Sequence, residues 1–200
     1  MAHFNSPKPQ QKSQQKIWFL IPLIVFAVFI VMLYFRLGKD TKVITNTSLN
    51  RPVPAFNLPL LNNPNQLASV ADLPKKPYLL NVWASWCITC KIEHPFLLQM
   101  AKQGIPIVGI NYKDELPDAL GYLNSHEDPF TLNVQDIKGS LGIDLGLAAV
   151  PESFVVDGKG SIRQHIVGEI NQERFDKQVS PCLTALNSNA DENKVKEVCQ

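Results

Sequence analysis

Apolar positions along this chain follow two rhythms: one long unbroken run near the start, and several short runs separated by polar turns further on. Residues 17–35 (IWFLIPLIVFAVFIVMLYF) carry no charge and almost no polar side chain. At about 1.5 Å per helical residue they extend about 28 Å, close to a bilayer core, so the pattern predicts a membrane-spanning helix over 17–36. Pro22 falls near its first turn, where a missing N–H costs least. The run is long for a signal-peptide core, and the RLGKD that follows lacks an A-x-A-like cleavage site. Both features favour an uncleaved anchor over a removed leader.

The shorter runs belong to a different kind of structure. Residues 78–84 and 105–110 are nearly continuous in apolar side chains, as expected of strands covered on both faces. Residues 88–103 between them have room for a helix, with Gly104 as its stop, so the two strands are predicted parallel. A short strand is expected over 55–61 before an NNPN turn, a helix over 116–125 and an extended piece over 131–134. Residues 153–156 and 162–167 flank the turn signal DGKG and predict a hairpin. Asn171 is placed to cap a last helix running towards Leu186 and broken at Pro181. The resulting plan is a polar tail over 1–16, the anchor over 17–36, a linker over 37–53, one α/β domain over 54–187 and a polar tail over 188–200.

Composition narrows the setting. An apolar content of 45% over 200 residues supports a single core. A net charge of +1, with no basic stripe interleaved with aromatics, argues against a nucleic-acid partner. Lys8, Lys12 and Lys16 before the apolar run nearly balance Arg36, Lys39 and Lys42 after it, but the first tail has no acid among them. Four cysteines suit an oxidising compartment. The 1–16 tail is therefore expected in the cytoplasm and the bulk of the chain in the periplasm of a two-membrane bacterium, held at its inner membrane by a single pass.

Candidate chemistry centres on Trp86-Cys87-Ile88-Thr89-Cys90. Two thiols at this spacing serve either as a redox pair or as half of a zinc site; a strand before them and a helix after favour redox chemistry. Cys87, expected at the exposed helix N-terminus, is the nucleophile, because unpaired N–H groups there favour a thiolate. Cys90, one turn on and less exposed, is the resolving thiol. Glu93 shares a helix face with Cys90 and is placed to manage a proton. Trp83 reads as core, Trp86 as partner-facing surface and His94 as a helix surface residue. Cys182 and Cys199 enclose sixteen residues and are candidates for a structural disulfide, stabilising by on the order of 3 kcal/mol. No metal or cofactor is expected.

A Cys-x-x-Cys after the first central strand and a Val-Pro before the hairpin follow the thioredoxin plan. With NVWASWCITCKIEHP, VGINYKD, LGIDLGLAAVPESFVVDGKGSIRQHIVGEI and the anchor, the chain resembles the membrane-tethered thioredoxin-like proteins of cytochrome c maturation, the DsbE (CcmG) thiol:disulfide interchange family. The resemblance covers most of 17–175. It implies a thioredoxin-like mixed sheet flanked by helices, and a cis Pro151 that exposes the Val150 backbone to a substrate strand beside Trp86 and Cys87. The acid that thioredoxin places before its thiols is Asn81 here, so proton handling falls to Glu93 and Glu152. The implied activity is reduction of disulfides in apocytochrome c haem-binding motifs. The implied partners are a transmembrane thiol carrier of the DsbD or CcdA kind and a haem-maturation assembly. Ile88-Thr89 and Lys91 stand where the family often has Pro-Thr and Arg, Ser153 replaces a usual Thr, and Cys182 and Cys199 are additional. Because about 30 mV is worth about 1.4 kcal/mol, the direction of exchange stays open to a general oxidant or isomerase role. A copper chaperone using the thiols with His94 or His165 is a further alternative.

Overall fold

The computed structural model describes residues 15–37, 48–188 and 190–199, and the chain divides into two units, Met1–Val43 and Ile44–Gln200. The first unit holds helix α1 (Gln15–Leu37), with Pro22 inside it. Its described side chains, residues 21–34, are all exposed. Among the described residues no helix is long and apolar enough to cross a membrane; the side chains described on α1 fall short of the about 20 residues a span requires. Most of the expected tail over 1–16 and of the linker over 37–53 lies outside the described residues.

The second unit opens with strands β1 (Asn57–Leu60) and β2 (Asn63–Ser69), an antiparallel hairpin. The expected strand over 55–61 is thus one arm of a pair. The NNPN segment, read as a turn, supplies the start of β2, whose side chains are exposed except at its last two residues. An edge strand facing water needs no apolar alternation, and Pro64 is tolerated there because an edge N–H need not pair. Ser69 and Asp72 form a capping box on the following 3-10 turn, Val70–Asp72.

Next come β3 (Tyr78–Trp83), α2 (Ile88–Lys102), β4 (Ile107–Tyr112), α3 (Leu116–His126), β5 (Leu132–Asp136) and the short α4 (Ser140–Asp144). They are followed by the hairpin of β6 (Glu152–Val156) and β7 (Ile162–Val167). The sheet order is β2-β1-β5-β4-β3-β6-β7. β3 runs parallel to β4 and β4 to β5, whereas β6 and β1 pair antiparallel at the two sides. This is the expected mixed sheet, parallel at its centre.

Every residue of β3 is buried, so its period of two sorts side chains between two covered faces. Leu80 and Val82 join Val108, Ile110, Val134 and Phe154 under Leu141 and Leu145. Leu79 joins Ile107, Val155 and Ile166 under Leu97 and Met100 of α2 and the C-terminal helices. Those helices are α5 (Gln172–Arg174), a wide π turn over Phe175–Val179, α6 (Ser180–Asn187) and α7 (Glu192–Cys199). The expected break at Pro181 is this π turn: Ser180 N–H reaches back five residues to the Phe175 carbonyl just before the residue that has no N–H.

The polar tail over 188–200 is largely helical. Val195 and Cys199 of α7 enter the core, and Cys199 is disulfide-bonded to Cys182 of α6. Only Val195, Val198 and Cys199 of α7 are apolar, so the segment reads as polar overall, and the disulfide with the buried Val195 holds its short apolar face to the core. The bond closes a sequence separation of 17 residues, so replacing both Cys182 and Cys199 by Ala is expected to lower stability by about 3 kcal/mol, read from urea unfolding with Cys87 and Cys90 intact.

Candidate active site

Strand β3 ends at Trp83, and three residues later the chain enters α2 with Cys87 as its N-cap. The Cys87 N–H donates to the Ala84 carbonyl at 3.2 Å, closing the turn. The Cys87 sulfur accepts the Cys90 N–H at 3.0 Å and is bonded to the Cys90 sulfur, with Cα atoms 5.3 Å apart. A backbone donor already aimed at the sulfur favours negative charge there once the bond opens.

The expected difference in exposure between the two thiols is absent: each cysteine is 5% exposed. Part of the cover over Cys87 comes from far along the chain, where the Val150 carbonyl oxygen lies 3.6 Å from its sulfur. The Val150-Pro151 bond is cis, as the resemblance implies. Flanking the disulfide, Trp86 and Ile88 are open to solvent at 55% and 76%.

Trp83 is core, as expected, and lies in the cluster that buries both active cysteines with Ala119 and Leu123. Its Nε1–H donates to Asn133 Oδ1 at 3.3 Å, and its ring stacks on Phe130 at 5.5 Å. Trp86 presents its ring outward while its Nε1–H donates to the Lys113 carbonyl at 3.0 Å. Lys113 adopts a left-handed φ of 46°, and that bend turns Asp114 back under the active turn. The buried Asp114 carboxylate accepts the Ser85 N–H at 2.6 Å, the Ser85 hydroxyl at 2.8 Å and the Asn111 amide at 2.8 Å. It fastens the turn before Cys87 to the end of β4. Sequence reasoning missed it; the one signal was its place in VGINYKD, an acid directly after a buried strand.

Glu93 and Glu152 are both fully buried, but the structure places them on opposite faces of the sheet. Glu93, on α2, accepts the Ile170 N–H at 2.7 Å and the Asn81 amide at 3.1 Å. Asn81 pairs across the sheet with Ser153, and its amide also donates to the Ser153 hydroxyl at 3.0 Å. Burial pushes the Glu93 carboxyl up to about 7, opposed by the hydrogen bonds from Ile170 and Asn81. Glu152 pairs with Val82 one residue further along β3, so its side chain leaves by the other face. One of its oxygens accepts the N–H groups of Ala148 and Ala149 at 3.1 and 2.9 Å; the other is 2.7 Å from His165 Nε2.

His94, expected on the helix surface, is 4% exposed. Its Nε2 lies 3.1 and 3.0 Å from the carbonyl oxygens of His126 and Glu127, which only accept, so that nitrogen carries a hydrogen. The buried position follows from α3, whose Tyr122 meets the imidazole edge-on at 5.1 Å. With Nε2 of His94 turned to two carbonyls and Nε2 of His165 turned to Glu152, the copper reading loses the lone pairs it would need at those atoms.

The chain matches the Redoxin family over residues 48–198. It is 40% identical over 167 residues to the thiol:disulfide interchange protein DsbE of Pseudomonas aeruginosa, covering 84% of this chain and 93% of that one. The DsbE of Escherichia coli K12 is 40% identical over 168 residues, 81% and 91% of the two chains. Among solved structures, a Chlorobium tepidum protein assigned to DsbE superposes with a TM-score of 0.58 at 25% identity, covering 66% of this chain and 95% of that one.

The Glu93 environment predicts a pH signature. A carboxyl raised from 4.5 to about 7 stays protonated in the fold where an unfolded chain ionises it, so its contribution is full below about pH 4.5 and lost as pH rises to about 7. Glu93→Gln removes this slope. Between about pH 5 and pH 8 the oxidised wild-type chain is expected to lose on the order of 3 kcal/mol relative to the variant, measured by urea unfolding at both pH values. Asp114→Ala, by contrast, is expected to cost roughly 2–4 kcal/mol at either pH, because it strands the Ser85 and Asn111 donors.

Proposed function

The chain belongs to the Redoxin family and, within it, to the DsbE thiol:disulfide interchange proteins, and from that premise we propose that it reduces apocytochrome c disulfides at the periplasmic face of a bacterial inner membrane. Its activity as a thiol:disulfide oxidoreductase rests on Cys87 and Cys90, which are bonded to each other in the structure. The observation that carries the proposal is the placement of the Val150 carbonyl 3.6 Å from the Cys87 sulfur, which sets a backbone edge beside the reacting atom.

In the reduced enzyme the Cys87 thiolate attacks one sulfur of the substrate disulfide, and the other substrate sulfur leaves as a thiolate and takes up a proton. Cys90 then gives up its proton and attacks the Cys87 sulfur. The second substrate thiol is released, and the enzyme is left with the observed Cys87-Cys90 bond. Two electrons pass from enzyme to substrate. Glu93, one turn beyond Cys90 on α2, receives the Cys90 proton, a task that suits a carboxyl held near 7. Glu152 serves the same site from the far side of the sheet by holding residues 148–150. The substrate strand lies along Val150 and Pro151 and against the exposed ring of Trp86.

Reoxidised enzyme must be reduced again, and a transmembrane thiol carrier of the DsbD or CcdA kind supplies the electrons. Residues 17–36 anchor the chain in the membrane, with the 1–16 tail in the cytoplasm and the redox domain in the periplasm near a haem-maturation assembly. The exposed apolar side chains of α1, among them Phe26, Phe29 and Val31, support this reading.

Replacing Cys90 by Ala removes the resolving thiol, so Cys87 is expected to accumulate mixed disulfides with its partners in cells. Mass spectrometry of the trapped species should find apocytochrome c and a membrane thiol carrier. Recovery of assorted secreted proteins without a c-type cytochrome would instead identify a general oxidant or isomerase.

A further inference from the structure

The segment beside Cys87 is held at two points, one from β7 and one from the residue just after it. The Gly168 N–H donates to the Pro151 carbonyl at 3.0 Å. Nearby, His165 Nε2 stands 2.7 Å from one Glu152 oxygen, while the other Glu152 oxygen accepts the Ala148 and Ala149 N–H groups. The next residue, Val150, carries the carbonyl that touches the Cys87 sulfur. His165 itself is fixed: it pairs with Phe154 across the hairpin, and the two rings stack at 4.2 Å with 18° between their planes. Its side chain is 2% exposed and that of Glu152 is 0% exposed, so water does not replace either partner.

We propose that His165 is a positioning residue for exchange with polypeptide disulfides: acting through Glu152, it fixes residues 148–150 so that the Val150 backbone presents an incoming strand to Cys87. This rests on the reading of Cys87 as a nucleophile towards polypeptide substrates. Ala148 and Ala149 are exposed and offer only methyl groups for packing, so at these two residues the N–H bonds to Glu152 hold the loop, while Leu147 and Val150 on either side pack against the core. A buried carboxylate that loses a partner retains its need for donors and reorients to satisfy it. Reorientation of Glu152 frees the loop at Ala148 and Ala149, next to the residue whose carbonyl meets Cys87. A small disulfide needs nothing but access to the sulfur; a peptide strand needs the loop in place as well.

The test uses the full chain in detergent with two oxidised probes: a disulfide-bonded Cys-x-x-Cys-His peptide and a small aryl disulfide. His165→Leu is expected to slow reaction with the peptide about tenfold while the aryl disulfide stays within about twofold of wild type. His165→Gln, which keeps an N–H donor, is expected to restore most of the peptide rate and covers the case in which the Leu variant does not fold. Equal loss on both probes in a folded variant, an unchanged peptide rate in His165→Leu, or a folded His165→Gln no better than His165→Leu would overturn the proposal. A wild-type chain that reacts with the aryl disulfide but not with the peptide would overturn the polypeptide-substrate reading itself.

Discussion

The rest of the structure depends on where one sulfur sits. The Cys87 sulfur is at once the cap of α2, half of the disulfide and the atom under the Val150 carbonyl. Meeting all three conditions requires the carboxyl end of β3, the start of α2 and the segment entering β6 to converge within a few ångströms. A parallel β3-α2-β4 unit brings the first two together, because a right-handed crossover returns the helix over its own strand. The antiparallel pairing of β6 with β3 delivers the third, since it places residues 150 and 151 at the end of β3 where the active turn begins. Asp114 then ties that turn to the end of β4, so β3, β4 and β6 each bring one restraint to Cys87.

The period of two in β3 and β6 divides the labour between the buried acids. Asn81 and Ser153 face α2, and Asn81 meets Glu93, whose carboxyl is raised by burial and accepts its hydrogen bonds from the neutral Asn81 amide and Ile170 N–H. Val82 and Glu152 face the other way, and Glu152 spends its oxygens on the covering loop and on His165. One acid is therefore suited to protons and the other to geometry. Having a neutral Asn81 on β3 matters to this division. An acid there would place a second negative charge beside Glu93 in a site without solvent to screen it.

What could be read from the chain and what could not separate along the same physical line. The strands β3, β4, β6 and β7 and helix α2 were legible because their apolar runs are continuous and bounded by turn residues. The edge strand β2 was not, since NPNQLAS faces water along most of its length and is ordered by its hydrogen bonds to β1. Nor was α7, whose order comes from a disulfide and two buried side chains. In the site, the cysteine pair and the Val150-Pro151 element have local signatures. The burial of Cys87 has none, because its cover comes from distant parts of the chain, among them Ala119, Leu123 and the Val150 carbonyl 63 residues away. The buried state of His94 and the role of Asp114 likewise depend on α3 and on a left-handed bend at Lys113.

Ile88 gives the redox pair a character of its own. As the first residue of α2 it keeps an N–H where the family often has a proline, so one more donor stands at the helix terminus that Cys87 caps. That donor favours the thiolate and hence the reduced pair, which makes the enzyme a weaker reductant. Burial of Cys87 to 5% acts in the opposite sense, because a desolvated sulfur resists charge. The side chain of Ile88, 76% exposed, takes no part in either effect through core packing. Backbone donors at one turn of helix thus act on the pair against a cover to which the Val150 segment contributes, so the backbone beside Cys87 also bears on how readily the sulfur holds charge.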